Sequence, residues 1–272
     1  MARRGSPRHG EPRHGEPRHG EPRHGEPRPP PGAQRRAFYG RRRGRRLRPG
    51  LTALLEELLP QLAVVLPEAG GPLDPAALFD SPPEGCPAAA PRPEEIWLEI
   101  GFGAGEHLAW QAERHPGTGF LGAECFVHGV AGLLREVRER GLANVRIHHG
   151  DGRDLLDALP QGSLDRVFSL FPDPWPKARH HKRRLIRDDT LDRLAEVMKD
   201  GVELRLATDE MDYLSWMLER LIRHPAFEWL ARGPRDWRER PADWPPTRYE
   251  IKALDQGRRP LYLRFRRRWR RR

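Results

Sequence analysis

Between residues 96 and 270 the apolar positions fall into two patterns that alternate: short runs of strand length, and longer stretches with the 3.6-residue spacing of a helix. Ile96-Trp97-Leu98-Glu99-Ile100 reads as a buried strand, and Glu106 to His115 as the helix after it. Gly119 to Glu124 reads as a second strand, followed by a helix from Val127 to Arg140 that Gly141 stops. Asn144 to Asp151 gives a third strand. Leu164 to Leu170 gives a fourth, in which Asp165, Arg166 and Ser169 interrupt four apolar residues. A helical pattern over Arg184 to Lys199, closed by Gly201, leads into a fifth strand, Val202 to Thr208. Asp209 is placed to cap a helix from Glu210 to Arg223, and Leu261 to Trp269 ends the chain as a strand. Such alternation predicts an α/β fold: a doubly wound, mostly parallel sheet with its ligands at the carboxyl ends of the strands.

The chain ahead of this region differs. Leu51 to Leu66 is amphipathic and interrupted at Pro60, and residues 70–93 form a Pro/Gly/Ala-rich connection. From Pro7 to Glu26 the unit Pro-Arg-His-Gly-Glu occurs four times with no apolar residue, so it cannot bury surface to offset its chain entropy and is expected to be disordered. Three parts result: a basic tail over 1–37, a basic segment with a helix and connection over 38–92, and the sheet domain over 93–272. There is no apolar signal region and no run of roughly 18 apolar residues, which points to a cytoplasmic protein that does not enter membranes. Cys86 and Cys125 support neither a disulfide framework nor a Cys-rich metal site. His148-His149 and His180-His181 are adjacent and point apart, which is poor metal geometry, so no metal is expected.

Net charge is +10, but it is unevenly placed. Residues 1–50 hold 15 Arg against 4 Glu, and the last nine residues hold seven Arg and no acid. Between them, residues 51–263 sum to −8. The sheet domain is therefore acidic, with one basic strip inside it, and that strip says more about partners than the total does.

The strip sits beside the most informative segment of the chain, Phe171-Pro172-Asp173-Pro174-Trp175-Pro176-Lys177, and carries six Lys/Arg between Lys177 and Arg187. Two prolines fix the backbone around one carboxylate, a flat aromatic follows, and a run of cations follows that. The combination suits an enzyme acting on a nucleic-acid base. Upstream, Gly101, Gly103 and Gly105 alternate in a turn after the first strand, where a backbone without Cβ atoms can bend sharply and admit a ligand. The spacing is GxGxG rather than the GxGxxG of dinucleotide sites. Glu99 lies just before the turn, where a carboxylate would repel a pyrophosphate but suit a cationic, amino-acid-bearing ligand such as S-adenosylmethionine. Glu124 ends the second strand, the usual place for an acid that binds ribose hydroxyls, and Asp151 ends the third, facing the expected adenine edge. Among the tryptophans, Trp175 and Trp244 stand beside prolines and are the stacking candidates, whereas Trp97, Trp110, Trp216 and Trp229 fit a core.

From about Phe38 onward the chain resembles the bacterial TrmB family, the tRNA (guanine-N7-)-methyltransferases. The resemblance rests on LEIGFGAGEHL (98–108), GAE (122–124), GDGRDLL (150–156), FPDPWPKARHHKRRL (171–185), ATD (207–209) and TRYE (247–250). It implies a class I methyltransferase that moves the methyl of S-adenosylmethionine to N7 of a guanine in the tRNA variable loop, position 46 in the family. By the same resemblance Glu99, Glu124, Asp151 and Asp173 contact the cofactor, with Asp173 also catalytic. Lys177, Asp209, Thr247, Arg248, Tyr249 and Glu250 bind substrate, and Arg179, His180, His181, Lys182, Arg183 and Arg184 contact the RNA. Arg248 and Tyr249 replace the Lys and Phe of many relatives, and Cys125 follows the ribose acid as an oddity. A methyltransferase of an exocyclic amine and a nicotinamide oxidoreductase are the alternatives, the second disfavoured by GxGxG and Glu99. A non-catalytic RNA-binding module would not need three cofactor-side acids. The sequence leaves monomer and homodimer equally open.

Overall fold

The computed structural model describes residues 40, 42, 44–67, 71–84 and 92–271; the Pro-Arg-His-Gly-Glu repeats and Cys86 lie outside them. Seven strands form one sheet in the order β3-β2-β1-β4-β5-β7-β6. They are β1 (Glu95–Ile100), β2 (Thr118–Ala123), β3 (Val145–His148), β4 (Leu164–Leu170), β5 (Met198–Thr208), β6 (Phe227–Trp229) and β7 (Leu261–Arg267). β7 is antiparallel to both its neighbours, and β1 to β5 pair in parallel. Sequence order reverses between β1 and β4, which opens a crevice at their carboxyl ends.

The nine helices are α1 (Pro49–Glu57), α2 (Leu59–Leu62), α3 (Glu106–Arg114), α4 (Val127–Arg140), α5 (Gly152–Ala158), α6 (Asp188–Val197), α7 (Met211–Arg223), α8 (Arg235–Arg238) and α9 (Arg248–Asp255) among the described residues. Strand side chains point alternately to opposite faces, so β1 feeds two cores. Leu98 and Ile100 join Leu155, Leu191, Leu194, Leu214 and Met217 on the face covered by α5, α6 and α7. Trp97 joins Leu54, Leu108, Val130 and Leu134 on the face covered by α1, α3 and α4. The break in the first helical region comes at Leu58, just ahead of Pro60, and Ala63 then bridges to Ile147 of β3.

Three expectations about elements need correction. No helix starts at Arg184. A 3-10 turn covers Ala178–Arg183, Arg184 itself is extended (φ −59°, ψ 139°), and α6 begins at Asp188. Asp188 and Asp189 in its first turn suit the positive end of a helix dipole, which the cations before them do not. Met198 and Lys199 already belong to β5. Gly201, at φ +82°, lies within an irregularity that lets Met198 pair with Leu164 and Glu203 with Arg166, so it interrupts a strand rather than ending a helix. Asp209 does not cap α7: the N-cap is Glu210, and the Asp209 carboxylate pairs with Arg258 at 2.7 Å.

Candidate active site

A cavity of about 470 Å³ opens at the carboxyl ends of β1 to β4. Gly101 and Gly103 form its floor, Glu124 and Asp151 one side, and Phe171, Asp173 and Trp175 another; Tyr249 of α9 closes it from above. Gly101 holds φ +77°, and the place a Cβ would take there meets no atom within 4 Å, so the turn leaves room for a ligand against bare backbone.

The acids at the strand ends are not equivalent. The Glu124 carboxylate accepts hydrogen bonds from the backbone N–H groups of Gly103 (3.0 Å), Cys125 (2.7 Å) and Phe126 (2.8 Å). A carboxylate offers about four acceptor sites, so one, on Oε2, remains open to a ligand hydroxyl or N–H group. Burial raises its pKa while the three N–H groups pull it down. Asp151 caps α5 by accepting from Arg153 N (3.0 Å), and it is gripped side-on by the Arg153 guanidinium (Nη2 at 2.5 Å). Asp173 differs from both: the residue is exposed to the cavity, it makes no hydrogen bond or ion pair among the described residues, and partial desolvation by the cavity walls raises its pKa above the usual 3.8. Its backbone frame is strained. Phe171 (φ +53°) and Trp175 (φ +44°), one on each side of Pro172-Asp173-Pro174, are the non-glycine residues at positive φ among those described. Each such residue costs of the order of 1–3 kcal/mol, and strain of this kind clusters at active sites and ligand clamps.

Other expected residues lie elsewhere. Glu99 is 4% exposed, and its Oε2 bonds His107 Nδ1 at 2.7 Å, so it faces the packed side of β1 rather than the cavity. That face holds Trp97, the residue two positions earlier, as strand alternation requires. Thr247 and Glu250 are buried. Thr247 caps α9 by accepting from Glu250 N (3.2 Å), and the Glu250 carboxylate takes Arg240 Nε (3.0 Å) and Tyr262 OH (2.8 Å). Arg248 pairs with Glu106. Of TRYE, Tyr249 reaches the cavity. Trp244 is not a stacking surface; it is 2% exposed and packed among His107, Phe168 and Tyr262.

The basic strip also divides. Lys177, Arg179 and Lys182 are exposed and make no ion pair among the described residues. Arg183 lies over the Trp175 ring at 4.9 Å, His180 meets the same ring edge-on, and Arg183 and Trp175 both line the cavity. His181 turns inward onto Trp216. Arg184 is 1% exposed and paired with Asp212, so the RNA contact expected of it has no surface from which to be made. Two residues escaped the sequence reading: Arg153, two places after an acid that caps its own helix, and the strained Phe171. The Cys125 thiol, beside Glu124, is pushed up to about 12 by burial and stays protonated.

The reversed-order sheet in which β7 runs against its neighbours, with a glycine turn after β1 opening onto the cavity, is the architecture of a class I S-adenosylmethionine-dependent methyltransferase. A family profile described as "Putative methyltransferase" matches residues 93–262. The tRNA (guanine-N(7)-)-methyltransferase of Rhodospirillum rubrum is 51% identical over 85% of this chain and 88% of its own length. Those of a Ruegeria species (48%; 87% and 89%) and Zymomonas mobilis (46%; 85% and 94%) are similar over comparable spans. The chain belongs to the tRNA (guanine-N(7)-)-methyltransferase family, TrmB.

Proposed function

We propose that this protein transfers the methyl group of S-adenosylmethionine to N7 of a guanine in the tRNA variable loop, position 46 in the family, in the cytoplasm. Family membership supports the reaction class, and the residues at the cavity fit the cofactor. The bare turn at Gly101 leaves space, and Glu124 and Asp151 place negative charge beside it, suited to a cationic ligand. When bound, S-adenosylmethionine supplies an electrophilic methyl. Oε2 of Glu124 would accept a ribose hydroxyl, and Asp151, gripped by Arg153, would meet the adenine edge.

Guanine N7 carries a lone pair and no proton. The N7–CH₃ bond forms as the S–CH₃ bond breaks, the positive charge moves from sulfur to the purine, and no general base is required. A carboxylate near both ends would stabilise ground and transition states alike. The role of Asp173 is therefore orientation: its free carboxylate accepts from guanine N1–H and N2–H and holds N7 in line. Adenine has no such donor pair, so the same contact selects the base. Trp175 supplies a face for an extruded base, and Lys177, Arg179 and Lys182 hold the backbone phosphates.

The observation that carries this reading is that Asp173, alone of the three cavity acids, is without a partner in the described structure. Unmodified tRNA treated with the pure protein and S-adenosylmethionine, then digested and mapped by mass, should show 7-methylguanosine in the variable loop. A different methylated nucleoside would overturn the assignment.

A further inference from the structure

Arg184 is a fully buried cation behind a loop that must hold one carboxylate still. Its Nε donates to the carbonyl of Pro174 at 2.8 Å, the residue after Asp173. Its Nη2 pairs with Asp212 in the first turn of α7. The guanidinium carbon lies 5.0 Å from the Tyr213 ring centre and 4.8 Å from that of Trp216, two further residues of α7. The chain beyond it is fixed to the same helix. Ile186 N donates to Tyr213 OH (3.2 Å), and Trp216 Nε1 donates to Ile186 O (2.6 Å). His181 packs edge-on against Trp216, with Nε2 at 3.9 Å from the Asp212 carboxylate.

Burying an arginine is costly unless its charge is matched and its N–H groups are used. Here the match is a carboxylate whose side chain is 67% exposed, which would contribute little as a surface ion pair. What the arrangement does secure is position. One planar fork ties the strained Phe171–Trp175 loop to the start of α7, and a fork with fixed donor directions defines an orientation that a point charge does not. The site cavity and Arg184 do not touch: Arg183 and Leu185 line the cavity, and Arg184 between them points away.

We propose that Arg184 is a positioning residue for methyl transfer: with Asp212 it latches the Asp173 loop to α7 and so sets where the target guanine sits. This rests on Asp173 as the guanine-orienting residue, so Asp173→Ala is measured alongside. Arg184→Lys keeps the charge and loses the fork. Asp212→Asn removes the exposed partner and leaves the buried packing intact. Each variant is assayed for S-adenosylmethionine Kd by calorimetry, for tRNA Kd, for Tm, and for single-turnover methylation with both substrates saturating.

The expected result is a fall in the methylation rate of the order of 100-fold for Arg184→Lys, the scale of about a 1 Å misplacement. A smaller fall is expected for Asp212→Asn, with both Kd values near those of the parent. The double variant should be no slower than Arg184→Lys alone, because both changes open one latch. A weakened tRNA Kd at unchanged rate in Arg184→Lys would overturn the proposal in favour of an RNA contact. Loss of cofactor binding together with rate in Asp212→Asn, or wild-type rates in Asp212→Asn when Arg184→Lys does not fold, would also overturn it. If Asp173→Ala keeps its rate, the reading of Asp173 fails. If it loses its rate while both latch variants keep theirs, only the latch fails.

Discussion

Two arginine-rich stretches look alike in sequence and behave differently in the fold. In the first, Lys177, Arg179 and Lys182 project beside the cavity without carboxylate partners among the described residues, and Arg183 lies on Trp175 at its rim. In the second, toward the C-terminus, Arg264, Arg267, Arg268 and Arg270 are engaged by the protein itself. Arg270 donates to the carbonyls of Ala195 (2.9 Å), Glu196 (2.8 Å) and Met198 (2.9 Å) and pairs with Asp200. Arg267 is buried and donates to Ala195 O at 2.8 Å, and Arg264 pairs with Glu203. Helices leave their last carbonyls unpaired, and the C-terminal arginines close the end of α6 and fasten it to β5 and β7. The contrast teaches that charge count does not locate a nucleic-acid surface. What locates it is which cations remain after the protein's own carbonyls and carboxylates have been satisfied.

The largest effect expected from this contrast is on stability. Arg270→Ala removes the side chain that ties the Ala195, Glu196 and Met198 carbonyls to Asp200, although Ala195 O keeps Arg267 Nε and Glu196 O keeps the Gly162 N–H, and should cost roughly 1.5–3 kcal/mol in urea unfolding, the range for charged hydrogen bonds. Its tRNA salt dependence should stay that of the parent. An unchanged midpoint would show that the C-terminal arginines are not structural.

Next comes the triple change of Lys177, Arg179 and Lys182 to Ala. It should weaken tRNA binding and lower the slope of log Kd against log salt by about one for each phosphate no longer held, with stability altered by less than about 0.5 kcal/mol. Filter binding across a salt series gives the affinity and the slope, urea unfolding gives the stability, and a parental slope would place the RNA grip elsewhere.

The two regions also hold carboxylates shifted in opposite directions. Burial works against ionised Glu203, but Arg264 and Arg205 hold it down at about 2, so the stability it adds is complete above its usual 4.5 and is lost as pH falls toward 2. Acid titration of Glu203→Gln should lack that component. Asp173, although exposed to the cavity, is raised by partial desolvation, so its ionised form costs the native state a little stability as pH climbs through its pKa. Asp173→Asn should accordingly be at least as stable as the parent at neutral pH. A lower Tm would mean that the carboxylate has a native partner. Smallest of all is the effect of removing residues 1–34, whose charges alternate with Gly, Pro and Glu; tRNA affinity and rate should stay near parental. Loss of binding on that deletion would move the grip to the N-terminal arm.

Much of this was legible in the chain. Leu164–Leu170 is a strand with the bounds its pattern implies, and Gly141 does stop α4 in a left-handed conformation. What escaped was set by tertiary pairing. A run of Lys and Arg reads as a helix face until Arg184 is drawn under the loop by Asp212 and the rings of α7, a contact 28 residues away. β5 was cut short because its irregularity at Gly201 depends on what β4 offers across the ladder. α9 was missed although Thr247-Arg248-Tyr249-Glu250 has the spacing of a capping box, and Thr247 does cap it. At the site, a strand-end carboxylate can be recognised from sequence, but its prior occupation cannot. Glu124 is largely spent on backbone N–H groups and Glu99 on His107, and neither fact follows from spacing.

On the proposed mechanism Asp173 orients the guanine rather than binding the cofactor or accepting a proton. That role is tested most directly by single-turnover methylation of tRNA by Asp173→Asn, with the S-adenosylmethionine Kd measured on the same preparation. The expected result is a 7-methylguanosine rate lowered on the order of 100-fold or more, the cost of lost alignment, with the cofactor Kd close to that of the parent. A parental rate, or a rate that falls only because the cofactor no longer binds, would contradict it.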